Sequence, residues 1–142
     1  MASSNFLALT DHLARAGINF AADSFKVLLV SAAPSEANLD TWANRSDVSN
    51  EVTGTGYTAG GVAIALTVGS VDAANNRLAI TPANLAPGWT SATITAVGAV
   101  IFKSTGNAAT DKLISFVDFG ETVSSTNGSY AITFSAPLYI NR

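Results

Sequence analysis

The stretch that most restricts how this chain can fold is Val62-Ala63-Ile64-Ala65-Leu66-Thr67-Val68. Apolar bulk falls on 62, 64, 66 and 68, and smaller residues fall between. A period of two suits a strand and not a helix. The segment Asp72-Ala73-Ala74-Asn75-Asn76 then carries turn chemistry, because asparagine tolerates the positive φ that tight hairpins require. Arg77 to Thr81 alternates again, with Leu78 and Ile80 on the inward side. Residues 62–81 are therefore expected to form a β-hairpin.

Further strands follow from the same reasoning. Ser24 to Ser31 opens with the alternation Phe25/Lys26/Val27 and then becomes apolar on both faces, as a strand covered on both sides would. Residues 33–49 read as a connection with a helical turn around Leu39 to Ala43, anchored by Trp42. Pro82 and Pro87 frame a loop ending at Trp89. Ala92 to Lys103 is apolar on both faces past Ala96, with Gly98 as a bulge or close-approach site. Leu113 to Phe119 is another strand. Glu121 to Ser129 supplies a second turn, with Asn127–Gly128 as its hairpin dipeptide. The last strand places Tyr130, Ile132, Phe134, Leu138 and Ile140 on one face, and Pro137 puts its end at a sheet edge or bulge. At least six strands and little helix after residue 45 predict a mostly β, single-domain β-sandwich.

The first residues break this period. Phe6, Leu9 and Leu13 fall at i, i+3 and i+7, one stripe of a helix that Ser4 or Asn5 could cap and Gly17 could stop. Such a helix is too short to be stable alone. It docks either on its own domain or on a neighbouring subunit, and both readings stay open. The organisation expected is an N-terminal arm over residues 1–22 and a sandwich domain over residues 23–142.

Charged residues make up only 12% of the 142 residues, about half the usual share, and the net charge is −3. Seven Lys and Arg without a cluster exclude a phosphate-binding surface, so no nucleic-acid partner is expected. No apolar run reaches the ~20 residues that span a bilayer, and the start, MASSNFLALTDHL, lacks the regions of a secretory signal. Absence of cysteine removes disulfides and thiolate metal sites. An outer surface of Ser, Thr, Asn and Gly, partly covered by partners, accounts for so little charge.

Catalytic material is sparse. His12 is the single histidine and reads as a packing or surface residue. Asp118, interrupting a strand pattern, reads as an outward residue or one bonded to a backbone amide near Gly120. Glu51 could bond amides of its own loop. Gly54 to Gly61 (GTGYTAGG) lacks the Lys and the following helix of a phosphate loop; its four glycines suggest positive φ or tight approach to a neighbouring chain. Asn44–Arg45–Ser46 and Asn127–Gly128–Ser129 match glycosylation sequons, which arise by chance. No enzyme, cofactor or metal is expected.

Four pieces, in order, carry a resemblance: Asp11-His12-Leu13, Val27 to Pro34 (VLLVSAAP), Glu51 to Tyr57 (EVTGTGY) followed by Ala59-Gly60-Gly61, and Ile94 to Phe102 (ITAVGAVIF). Together they resemble small structural proteins of tailed bacteriophages, over nearly the whole chain. The resemblance implies a head decoration (cement) protein of jelly-roll-like sandwich fold, on the capsid exterior of the virion and made in the host cytoplasm. Its partners would be the major capsid protein and neighbouring copies of itself. The candidate contact residues are Phe6, Leu9, Leu13, Trp42 and Tyr57. The alternative it implies is a tail- or fibre-associated module, binding carbohydrate through Trp42, Tyr57 or Trp89.

Overall fold

The structure, a computed structural model, describes residues 1–141; Arg142 lies outside the described residues. The chain is mostly β and forms two antiparallel sheets. The larger has the order β1 (Ala2–Asn5), β7 (Lys112–Ile132), β6 (Leu85–Lys103), β2 (Phe25–Val30), β3 (Val62–Ile64). The smaller has the order β4 (Leu66–Asp72), β5 (Arg77–Pro82), β8 (Leu138–Asn141). Two short helices, α1 (Ala8–Ala14) and α2 (Glu36–Thr41), and a single 3-10 turn (Arg45–Asp47) lie in the first third of the chain.

The larger sheet is apolar on both faces because each face meets a core. Val27 and Leu29 of β2, with Ala99 and Ile101 of β6, join Ile80 and Leu138 of the smaller sheet in the main cluster. Leu28, Val30, Val100 and Phe102 point the other way, to a second cluster with Phe6, Leu113 and Phe116. That cluster is roofed by Leu39, Trp42 and Val48 from the connection before β3. The doubly apolar reading of β2 and β6 therefore has its physical cause in two covering layers.

Strands β6 and β7 make a ribbon of 19 and 21 residues. Only its loop-side half is widened by neighbours: β2 pairs with Gly98 to Lys103, and β1 with Ser115 to Asp118. The far half runs on as two strands, and repeated register shifts add twist. Its buried side, Trp89, Ala92, Ile94, Tyr130 and Ile132, stays in the main cluster.

Several expectations are corrected. Glu121 to Ser129 is not a turn; it lies within β7, because β6 is long enough to pair with Val123 to Ser125 and with Gly128. Asn127 (φ 45°) uses its left-handed tolerance for a bulge, and its N–H donates to Thr93 Oγ1 at 3.1 Å. The run 62–68 is not one strand. It splits at Ala65, so that Ile64 faces Phe25 in the larger sheet while Leu66 faces Pro82 in the smaller. Alternation marks faces, not sheet membership. The hairpin is thus β4–β5, closed by the expected turn. Leu85 to Trp89 belongs to β6 and not to a loop. The last strand is interrupted between Ile132 and Leu138, and Phe134 is only half-buried. The helical turn around Leu39 starts earlier, at Glu36, because the Ser35 hydroxyl caps the Asn38 N–H at 3.2 Å.

The N-terminal segment pairs with β7 and packs against the rest of the chain. Ala2 to Asn5 form an edge strand on β7, since that edge offers backbone partners to an extended chain, and Ser4 and Asn5 therefore do not cap α1. Phe6 (1% exposed) and Leu9 are buried in the chain's own two cores. Helix α1 ends before Gly17: the Gly17 N–H reaches His12 O at 2.7 Å and the Ala16 N–H reaches Leu13 O at 3.1 Å, with Ala16 at φ 54°. That is a Schellman closure whose left-handed residue is alanine.

Candidate functional site

The Gly-rich loop between Asn50 and Gly61 clasps the open edge of β2. Ser31 N–H donates to Asn50 O and Val52 N–H to Leu29 O, each at 2.9 Å, continuing the edge where β3 stops. Thr93 N–H of β6 donates to Thr55 O at 2.9 Å. The glycines make this approach possible. At Gly56 (φ 78°) a Cβ would stand 2.7 Å from Ser91 O and 2.8 Å from Ala92 Cα. The tight approach expected of these glycines is to the chain's own strands.

Inside the clasp, Tyr57 and Glu51 form a closed polar unit. The Tyr57 hydroxyl accepts the Leu29 N–H at 3.1 Å and donates to Glu51 Oε1 at 2.8 Å. The Gly60 N–H donates to the same oxygen at 2.6 Å. Burial pushes the Tyr57 phenol far above its usual range, so it stays a protonated donor. Its ring stacks on Trp89 at 5.4 Å, and Trp89 meets Tyr130 edge-on at 6.3 Å. Glu51 therefore bonds an amide of its own loop.

A second polar unit joins residues far apart in sequence. Asp111, 1% exposed, accepts from Arg45 Nε at 2.7 Å, from the Thr105 N–H at 2.6 Å and from the Thr105 hydroxyl at 2.9 Å. Burial pushes this carboxyl up, but the bonds from Thr105 and Arg45 outweigh it and hold the pKa below the usual carboxylate value. The Arg45 guanidinium also lies over the Phe102 ring at 5.6 Å. No local pattern announces this unit, because Arg45 and Asp111 meet only when the connection before β3 folds against β7.

The remaining residues singled out in the sequence serve the fold in similar ways. Trp42 stacks on Phe6 at 6.4 Å, half-buried. Leu13 packs partly buried against the main core. His12 is buried, with Nε2 3.1 Å from Ala43 O. Asp118 accepts the Gly120 N–H at 2.8 Å, the amide bond expected of it. Of the five candidate contact residues, Phe6 with Trp42 are brought together; Leu9, Leu13 and Tyr57 lie in the main cluster or against it. Phe6 and Leu9 have no surface left for another subunit.

Among the described residues no group of three His, Asp or Glu could hold a metal ion. The larger cavities are open-sided. One of ≈ 430 Å³ lies at the β4–β5 turn, lined by Val71, Leu78 and Ile140 beside Asp72 and Arg77. Another of ≈ 440 Å³ lies between Phe20–Phe25 and the β3/β4 corner. The first has no titratable pair beyond the Arg77–Asp72 contact at 3.3 Å. Comparison with protein-family models, with curated proteins and with solved structures returned no match.

Proposed function

We propose that this chain is a virion structural protein of a tailed bacteriophage, a capsid decoration (cement) protein that adds contacts between major capsid subunits. One observation carries the reading. The groups that chemistry would need, Glu51, Asp111, Asp118 and His12, are each bonded to their own backbone or to a local partner. The exposed stretches of strand are instead almost uncharged: Gly120 to Ser129 has only Glu121, and Leu66 to Val71 has no charge. Such a surface supports docking by shape, hydroxyl groups and backbone. Contacts made only in the assembled shell stabilise the shell by linkage, and many copies multiply modest interfaces.

For the architecture we propose a two-layer sandwich, with the main cluster between the sheets. Its eight strands divide five and three between the sheets, and the jelly-roll-like form is the arrangement that the resemblance implies for them. Of the aromatics that the tail-module alternative would offer a sugar, Trp89 is 3% exposed and stacked on Tyr57, while Trp42 and Tyr57 are half-buried.

The test is to add purified protein to heads that lack decoration. Saturable binding to the head exterior, with genome release moved to higher temperature, is the expected result. Binding confined to tails, or no binding, overturns the proposal.

A further inference from the structure

Strand β4 is an edge with little to guard it. It pairs with β5 on one side, and among the described residues no backbone group bonds its other side. It has no Lys and no Pro, and its one charge, Asp72, stands at its end. Val68 (41% exposed) and Val71 (78% exposed) are two of the four exposed large hydrophobics among the described residues.

The bulge at Gly69–Ser70 gives this edge an unusual property. Val68 faces Ile80 and Val71 faces Leu78, so both valines lie on the face that carries Leu78 and Ile80. In a regular strand, residues three apart point to opposite faces. A strand that pairs antiparallel with its own copy about a two-fold axis brings together only residues that share a face. The extra residue of the bulge therefore opens a register that a regular strand forbids: Val68 against the partner's Val71, with Gly69 and Ser70 at the axis. In that register Thr67 meets the partner's Asp72, so no carboxylate faces a carboxylate.

We propose that β4 docks on β4 of a second copy, joining two three-stranded sheets into one. Unpaired alternating N–H and C=O groups select an extended strand as occupant, and the absence of like-charge conflict lets that strand be the same one. The apolar shelf continues past Val71 into the ≈ 430 Å³ cavity lined by Leu78 and Ile140. Seven residues make an edge about 24 Å long and about 10 Å thick. That is well short of the roughly 800 Å² per partner of a stable complex. The dimer is accordingly weak in dilute solution and gains strength where copies are held close together.

This inference deepens the assembly reading above and rests on it only for the self-contact. Its test needs no capsid, so its failure leaves the head-binding result standing by itself. Sedimentation of the full chain from about 10 μM to about 1 mM should show a reversible monomer–dimer equilibrium. Val71→Lys should raise the dissociation constant at least about tenfold while leaving the melting temperature unchanged, because the side chain is exposed. The chain has no cysteine, so oxidising an equimolar mixture of the Val68→Cys and Val71→Cys proteins reads the register. The mixed disulfide dimer should exceed, by several-fold, the twofold excess over either homodimer that random pairing gives. A chain monomeric throughout, a dimer undiminished by Val71→Lys, or disulfide dimers in the random 1:2:1 ratio each overturns the proposal.

Discussion

Tyr57 donates its hydroxyl proton to Glu51 Oε1 at 2.8 Å while accepting the Leu29 N–H, so one phenol ties the Gly-rich loop to a central strand. Tyr57→Phe keeps the ring on Trp89 but leaves that N–H without its partner and Glu51 with one donor fewer. The expected cost is about 1–3 kcal/mol in urea unfolding. A midpoint equal to the parent's would mean that the clasp contributes nothing.

Phe6 lies inside the second core, whereas Phe134 packs half-buried against the main one. Phe6→Ala should cost roughly 3–5 kcal/mol, as for a fully buried phenylalanine. Phe134→Ala, at a half-buried site, should cost less than about 2 kcal/mol. Equilibrium denaturation of both variants checks the order. The reverse order would remove the N-terminal segment from the fold described above.

Ala16 adopts φ 54° where the helix closes, a conformation that costs any residue with a Cβ. Ala16→Gly should therefore stabilise the chain by about 0.5–1 kcal/mol, raising the melting temperature by about 2–4 °C. Calorimetry of the pair decides it, and a lower melting temperature would count against the left-handed closure.

Acid should act in two stages. Burial lowers the His12 pKa below 6.5, and the nearby Lys112 adds to that against the opposing Ala43 carbonyl and Asp11. The unfolded chain then binds the proton more readily, so stability is full above pH 6.5 and is lost as pH falls through the folded value. His12→Gln should flatten this stage. Asp111, held below 3.8, adds stability that persists above that pH and is lost only in stronger acid. Asp111→Asn should diminish the second stage, to which Asp23 beside Asn19 and Lys103 also contributes, and weaken the fold at neutral pH. Urea midpoints followed from pH 8 to pH 3 measure both, and profiles unchanged by the substitutions would refute the assignments.

What was legible in the sequence is what a strand records locally. The alternation of Arg77 to Thr81, the doubly apolar runs of β2 and β6, and the turn at Asp72 to Asn76 all reflect burial of a residue against its immediate surroundings, and they read correctly. So did the bonds of Glu51 and Asp118, which reach amides nine and two residues along the chain. Decisions between distant partners were not legible. Whether Ala65 continues a strand or crosses between sheets depends on Phe25 and Pro82 standing on either side of it. Whether Asn127–Gly128 ends a hairpin or bulges within one depends on how far β6 runs alongside. Docking of Phe6 on Trp42, and the meeting of Arg45 with Asp111, join segments whose separation carries no periodic signal. The sequence by itself determined which faces are apolar, because side-chain direction follows from backbone period. Only the tertiary structure decided which faces and edges meet, because that choice rests on the combined fit of segments far apart in the chain.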